Sequence, residues 1–235
     1  TLLDDVQKGR LLRGNWLVRY QRGTIFRRDW FKRIQEAPPG VQWWRVWDLA
    51  ATSEEQANGS TSFTCGLKIG ECEGRVYIGG LEHGRWDDGD VELLVKRVAQ
   101  EDGPDVRIWI CRERAGAGKS QLGHYVRLLR GYQVDGAPES GLKELRLGPA
   151  AAQAKHGNVY VLERDWTGKF LDLAEDLPAR PALDLGDCLS AGMEKLEGTE
   201  ISPASIAQEY SDNADDLERM DEAWDFSGLR KLDSL

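Results

Sequence analysis

The chain has 235 residues, 40% of them hydrophobic, with a formal net charge of -9. That length suits one sizeable globular domain with terminal extensions, and the acidic balance excludes a broad basic surface wrapped in nucleic acid. No apolar run approaches the ~20 residues needed to span a bilayer, so no membrane association is expected. The charge is unevenly spread. Thr1 to Arg33 carries nine basic and three acidic residues, whereas Glu209 to Leu235 carries three basic and nine acidic. The chain opens at Thr1 without a signal-peptide pattern and reads as a fragment of something longer, expected to be monomeric. Cys65, Cys72, Cys111 and Cys188 form no C-x-x-C pair, and with His83, His124 and His156 far apart the expectation is reduced core thiols rather than a zinc site.

In chain order, residues 1–38 are charged and Arg-rich and end at Pro38-Pro39-Gly40, a breaker, so they read as a linker segment ahead of the main domain. Three apolar runs follow, Val41 to Leu49, Ser62 to Ile69 and Arg75 to Leu81, separated by Asn58-Gly59 and by Gly70 to Gly74. They predict an antiparallel three-stranded meander. The spacing of Val91, Leu94, Val95 and Val98 predicts a helix over Asp90 to Gln100. Val106 to Cys111 predicts a fourth strand, Lys119 to Arg130 a helix, and Tyr132 to Val134 a short strand. Pro149 to His156 reads as a helix opened by proline and stopped by Gly157-Asn158. Val159 to Leu162 gives a strand, then Trp166 to Leu177 and Asp184 to Leu196 give helices. This order predicts an α/β fold, a mixed sheet flanked by helices, over residues 39–200, with 201–235 as an acidic tail. Trp43, Trp44, Trp47 and Trp109 are expected in the core, while Trp86 and Trp166 lie near loops.

Three acidic stations stand where strands end or a helix begins: Asp48 in W-D-L-A, Glu113 in C-R-E-R, and Asp184 with Asp187 in L-D-L-G-D. Gathering carboxylates costs desolvation and like-charge repulsion, and a hard divalent cation that takes oxygen ligands offsets that cost. Asp184 and Asp187 are three apart and share a helix face. Taken singly, each station has an ordinary explanation: a turn aspartate, a surface ion pair, or acids favoured by a helix dipole. Their joint placement points to a metal-dependent nuclease. Gly116-Ala117-Gly118-Lys119-Ser120 ends like a phosphate-binding loop, but the opening glycine of G-x-x-x-x-G-K-[ST] is replaced by Glu113, which excludes an ATP site.

At these residues the chain resembles the nuclease domain of tailed-phage terminase large subunits, over about Arg10 to Gly198. R-L-L-R-G-N-W (Arg10 to Trp16) and F-R-R-D-W-F (Phe26 to Phe31) resemble the link from the family's ATPase domain. W-D-L-A-A-T (Trp47 to Thr52), with G-S-T-S-F-T-C-G (Gly59 to Gly66), is similar to the first acidic motif, and R-E-R-A-G-A-G-K (Arg112 to Lys119) to the second. S-G-L-K-E-L-R (Ser140 to Arg146) and P-A-A-A-Q-A-K-H-G-N-V-Y-V (Pro149 to Val161) resemble the signature before the last strand. The third motif departs from the family's His-Asp-Asp, reading A-L-D-L-G-D-C.

The resemblance implies a ribonuclease H-like fold and an endonuclease cutting concatemeric double-stranded DNA during genome packaging in the host cytoplasm, at the procapsid portal. It implies Asp48, Glu113 and Asp184 as catalytic ligands of one or two Mg²⁺ or Mn²⁺ ions in a two-metal mechanism, with Asp187 an additional or outer ligand. Arg114, Lys119, Lys143 and Arg146 are the candidate DNA contacts. The implied partners are DNA, the ATPase domain of the same chain, the portal protein and the small terminase subunit. Two other readings are a junction resolvase or hybrid nuclease of the same fold, and a non-catalytic docking module for portal or capsid.

Overall fold

The computed structural model describes residues 22–49, 63–111, 117–137, 146–179 and 181–197. Seven strands form one sheet: β1 (Lys32–Ile34), β2 (Gln42–Asp48), β3 (Thr64–Cys72), β4 (Arg75–Gly84), β5 (Arg107–Ile110), β6 (Val134–Asp135) and β7 (Val159–Leu162), in the order β1-β7-β4-β3-β2-β5-β6. The β2–β3 and β3–β4 pairs are antiparallel, and β1–β7, β4–β7, β2–β5 and β5–β6 are parallel. The described α-helices are α1 (Asp88–Asp102), α2 (Ala117–Leu128), α3 (Gly148–Lys155), α4 (Thr167–Asp176) and α5 (Leu183–Glu197). This is the expected mixed sheet flanked by helices. None of the described helices is long and apolar enough to cross a membrane.

The meander differs from expectation at its second turn, between β3 and β4. β3 continues to Cys72, and the chain reverses at Glu73-Gly74, both at positive φ (52° and 70°), the backbone of a tight two-residue hairpin. Gly70, expected to break the strand, lies inside it. A Cβ there would sit 2.5 Å from Val41 and 2.6 Å from the Trp43 ring. The glycine serves close packing rather than turning.

Strand alternation sorts the core. On one face, Trp47, Ile108 and Ile110 pack with Val91, Leu94, Val95 and Val98 of α1 and with Tyr125 of α2. On the other, α5 lies against β2 and β3: the Cys188 thiol contacts the carbonyls of Val46 (3.6 Å) and Cys65 (3.5 Å), and a Cβ on Gly192 would come within 2.7 Å of Ile69. Trp47 is buried as expected. Trp43, Trp44 and Trp109 are only half-buried, each with a cation over its ring: Lys68, Arg107 and Lys195.

Residues 22–38, expected as linker, are built into the domain. β1 adds an edge strand beside β7, and Phe26 and Phe31 are buried, Phe31 edge-on to Phe170. Arg22 and Arg28 bind the carboxylates of α4, Arg22 to Asp172 and Asp176 (both 2.9 Å) and Arg28 to Asp172 and Glu175. Alternating charge with two phenylalanines hid a short strand. Two units are distinguished, Thr1–Lys195 and Leu196–Leu235. Of the second, only Leu196 and Glu197 are described, so the tail lies outside the described residues.

Candidate metal centre

β2 positions Asp48. It is the strand's last residue, on the face opposite Trp47 and therefore toward α5. The direction of α5 follows from its contacts. Cys188 lies level with Val46 and Cys65, whereas Gly192, one turn later, lies level with Ile69, which pairs with Trp44. The helix therefore runs antiparallel to β2. One turn before Cys188, its first turn places Asp184 at the end of β2 that carries Asp48. Asp184 and Cys188 share a helix face. The charge of Asp48 is among the influences that raise the Cys188 thiol above its ordinary value, after burial, Cys65 and Cys111. Two of the predicted carboxylates thus lie toward one rim of the sheet, the rim where β2, β4, β5 and β7 all end.

β5 reaches the same rim, because the Cys111 amide donates to the Trp47 carbonyl at 2.8 Å. Glu113 and Arg114 follow two and three residues later and lie outside the described residues, as does Lys143. Lys119 belongs to the first turn of α2, but its side chain lies outside the description. Among the described residues, no group of three His, Cys, Asp or Glu side chains is gathered as a metal site. The donor chemistry at the rim still suits a hard cation. Cys65 and Cys188 are fully buried beneath Asp48, so the ligating atoms offered there are carboxylate oxygens.

Asp187 has a different environment. It is 4% exposed and its Oδ1 accepts from Arg146 at 2.9 Å, while Arg146 also donates to the Ser190 hydroxyl at 3.2 Å. Arg146, expected at a DNA phosphate, is therefore turned inward and committed to the helix that carries Asp184. A buried carboxylate needs such a partner, and this one fixes the first two turns of α5 to the segment entering α3.

The sequence reading missed His83. Cross-strand register sets Asp48, Cys65 and His83 in one row. The His83 Nε2 lies 3.2 Å from the Pro181 carbonyl, which can only accept, so Nε2 carries the proton. Burial, and to a lesser degree Lys169, push the His83 pKa below its ordinary value, against the Pro181 bond, which raises it. Counting the alternation of β4 back from Leu81 would have put His83 on the α5 face; a lone histidine gave no reason to try.

No family model and no curated protein sequence matches the chain. Solved structures do. The nuclease domain of the human cytomegalovirus terminase, manganese-soaked and inhibitor-bound, superposes with a TM-score of 0.53 at 15% identity, over 71% of this chain and 91% of that one. The large terminase nuclease of thermophilic phage G20c with bound magnesium gives 0.51 at 13%, over 70% and 93%. The nuclease domain of Thermus phage P74-26 gives 0.51 at 14%, over 74% and 95%. In fold the chain is similar to these terminase nuclease domains, built on a ribonuclease H-like mixed sheet.

Proposed function

We propose that the chain is a metal-dependent DNA endonuclease, the nuclease domain of a terminase large subunit, cutting concatemeric duplex DNA during genome packaging. The observation that carries this reading is the antiparallel seating of α5 on β2, which sets Asp184 and Asp48 at one rim of a sheet shaped like those of the terminase nucleases. Asp48, Asp184 and, from its place in the sequence, Glu113 would hold one or two Mg²⁺ or Mn²⁺ ions. Held there, such an ion would supply Lewis-acid chemistry, activating water and offsetting charge on the phosphate. The protein supplies the rigid frame: Asp48 on a central strand, Asp184 on a helix pinned two turns further on by Gly192 and tied through Asp187 to Arg146. Among the similar structures, one is manganese-soaked and one holds bound magnesium, which favours these ions here.

The test is plasmid cleavage with Mn²⁺, Mg²⁺ or Ca²⁺. Manganese should support nicking and linearisation, and Asp48→Asn should lower the rate by at least about 10²-fold, as expected when a group that stabilises transition-state charge is lost. The Asp48→Asn protein should melt, without metal, at or above the parent temperature, because like-charge repulsion is relieved. A parent chain that leaves plasmid intact with every ion rules out the nuclease.

A further inference from the structure

Beside the carboxylate rim, β4 ends in a layered stack that the metal centre does not use. The Phe63 and His83 rings lie nearly parallel (15°) with centroids 4.9 Å apart, and the Arg85 guanidinium carbon sits 4.2 Å above the Phe63 ring. His83 is itself held by the Pro181 carbonyl, and Lys169 of α4 donates to the His83 carbonyl. Two cations thus flank the end of β4. Arg85 and Lys169 are both exposed.

Arg85 is one of the described arginines that carry no carboxylate partner. Arg22, Arg28, Arg33, Arg45, Arg97 and Arg146 each engage a carboxylate. No carboxylate among the described residues pairs with Arg85. Stacking occupies only the face of a guanidinium. Its five N–H donors point outward in the plane, the geometry that grips a phosphate bidentately. The seat on Phe63 removes side-chain freedom before any ligand arrives, so less entropy is lost on binding. The position fits as well. His83 is two strands from Asp48 in the same cross-strand row, about 10 Å at ~4.8 Å per strand, which spans roughly three nucleotides of axial rise.

We infer that Arg85, laid on Phe63 with Lys169 beside it, clamps a backbone phosphate of the DNA strand a few nucleotides from the one cleaved at Asp48 and Asp184. The inference rests on the nuclease reading for the identity of the strand. The clamp carries no base specificity, since it offers charge and donors to phosphate alone.

The test is fluorescence anisotropy of a labelled duplex with the full chain in Ca²⁺, from 50 to 200 mM salt, alongside Mn²⁺ cleavage kinetics. Arg85→Ala should weaken binding roughly 3- to 10-fold and flatten the slope of log affinity against log salt by about 0.9, one phosphate contact. Phe63→Leu, which keeps the charge but removes the seat, should weaken binding less and leave the slope unchanged. In cleavage, Arg85→Ala should raise KM more than it lowers kcat. An unchanged affinity and slope in Arg85→Ala overturns the clamp, as does a parent chain that binds no duplex at 50 mM salt. A lowered melting temperature with unaltered slope overturns it too, making the stack structural. If the parent binds DNA with the predicted Arg85 dependence yet cleaves nothing in Mn²⁺, the clamp stands and the nuclease reading falls.

Discussion

At the scale of single residues, the costliest groups are the buried charges, and Asp102 and Asp187, among the described residues, are both paired. Asp102 ends α1 beneath the sheet, where Arg45 donates to both of its oxygens (2.7 and 3.1 Å) and Lys68 lies at 2.9 Å. Burial pushes the Asp102 carboxyl up, but Arg45 and Lys68 together outweigh it and hold the group below its ordinary value. The native state therefore binds fewer protons here than the unfolded chain. The stability from this group is present above the ordinary carboxylate range and is lost as pH falls through the depressed value. Asp102→Ala leaves Arg45 buried without its partner and should cost about 3–5 kcal/mol at neutral pH, read by urea unfolding. The variant should also lose less further stability than the parent between pH 6 and 3. Asp187→Ala should likewise destabilise the fold, while lowering manganese affinity less than Asp184→Ala does, measured by titration calorimetry. Equal losses of metal affinity would make Asp187 a direct ligand.

At the scale of elements, glycines set how closely the layers approach. A Cβ on Gly66 would fall 2.4 Å from the Trp47 ring, and one on Gly192 would fall 2.7 Å from Ile69. Gly192→Ala should lift α5 from β3, costing about 1–3 kcal/mol of stability by overpacking. Because Asp184 rides on the same helix, cleavage should fall more steeply than the melting temperature alone would explain. The relevant comparison is activity at a temperature where parent and variant are both folded. Much of this element layer was legible beforehand. Val91, Leu94, Val95 and Val98 announced α1, and Val159 to Leu162 coincides with β7. What stayed hidden were features set by tertiary pairing: β1, too short and too charged to show a pattern, and the pull of Arg146 toward Asp187, which no local spacing encodes. The acidic stations were legible as residue types, but which end of β2 Asp184 lies toward depends on the direction in which α5 crosses that strand.

At the scale of the whole molecule, charge opposes the proposed substrate. The net charge is -9, of which Glu209 to Leu235 contributes three positive and nine negative residues, or -6, leaving -3 without that segment. A chain ended after Gln208 should bind duplex DNA several-fold more tightly at 50 mM salt, with the advantage fading by 300 mM as screening sets in. Anisotropy titrations at the two salt concentrations measure it, and an equal gain at both would point to a steric rather than an electrostatic cause. A molecule this acidic depends on local cations held in place, so Arg85 on its aromatic seat matters more here than it would on a basic protein.

The seating of α5 carries one more consequence, concerning angular phase. Asp184 and Gly192 lie eight residues apart on one rigid rod, with Cys188 midway. A single residue inserted between Cys188 and Gly192 would swing Asp184 around the axis by about 100° and shift it by about 1.5 Å. The rod would stay helical and still rest on Ile69, yet its carboxylate would face away from Asp48. The same turn would carry buried Leu185 and Cys188 off their seats and Asp187 away from Arg146, so an insertion before Gly192 should cost stability together with the placement of Asp184.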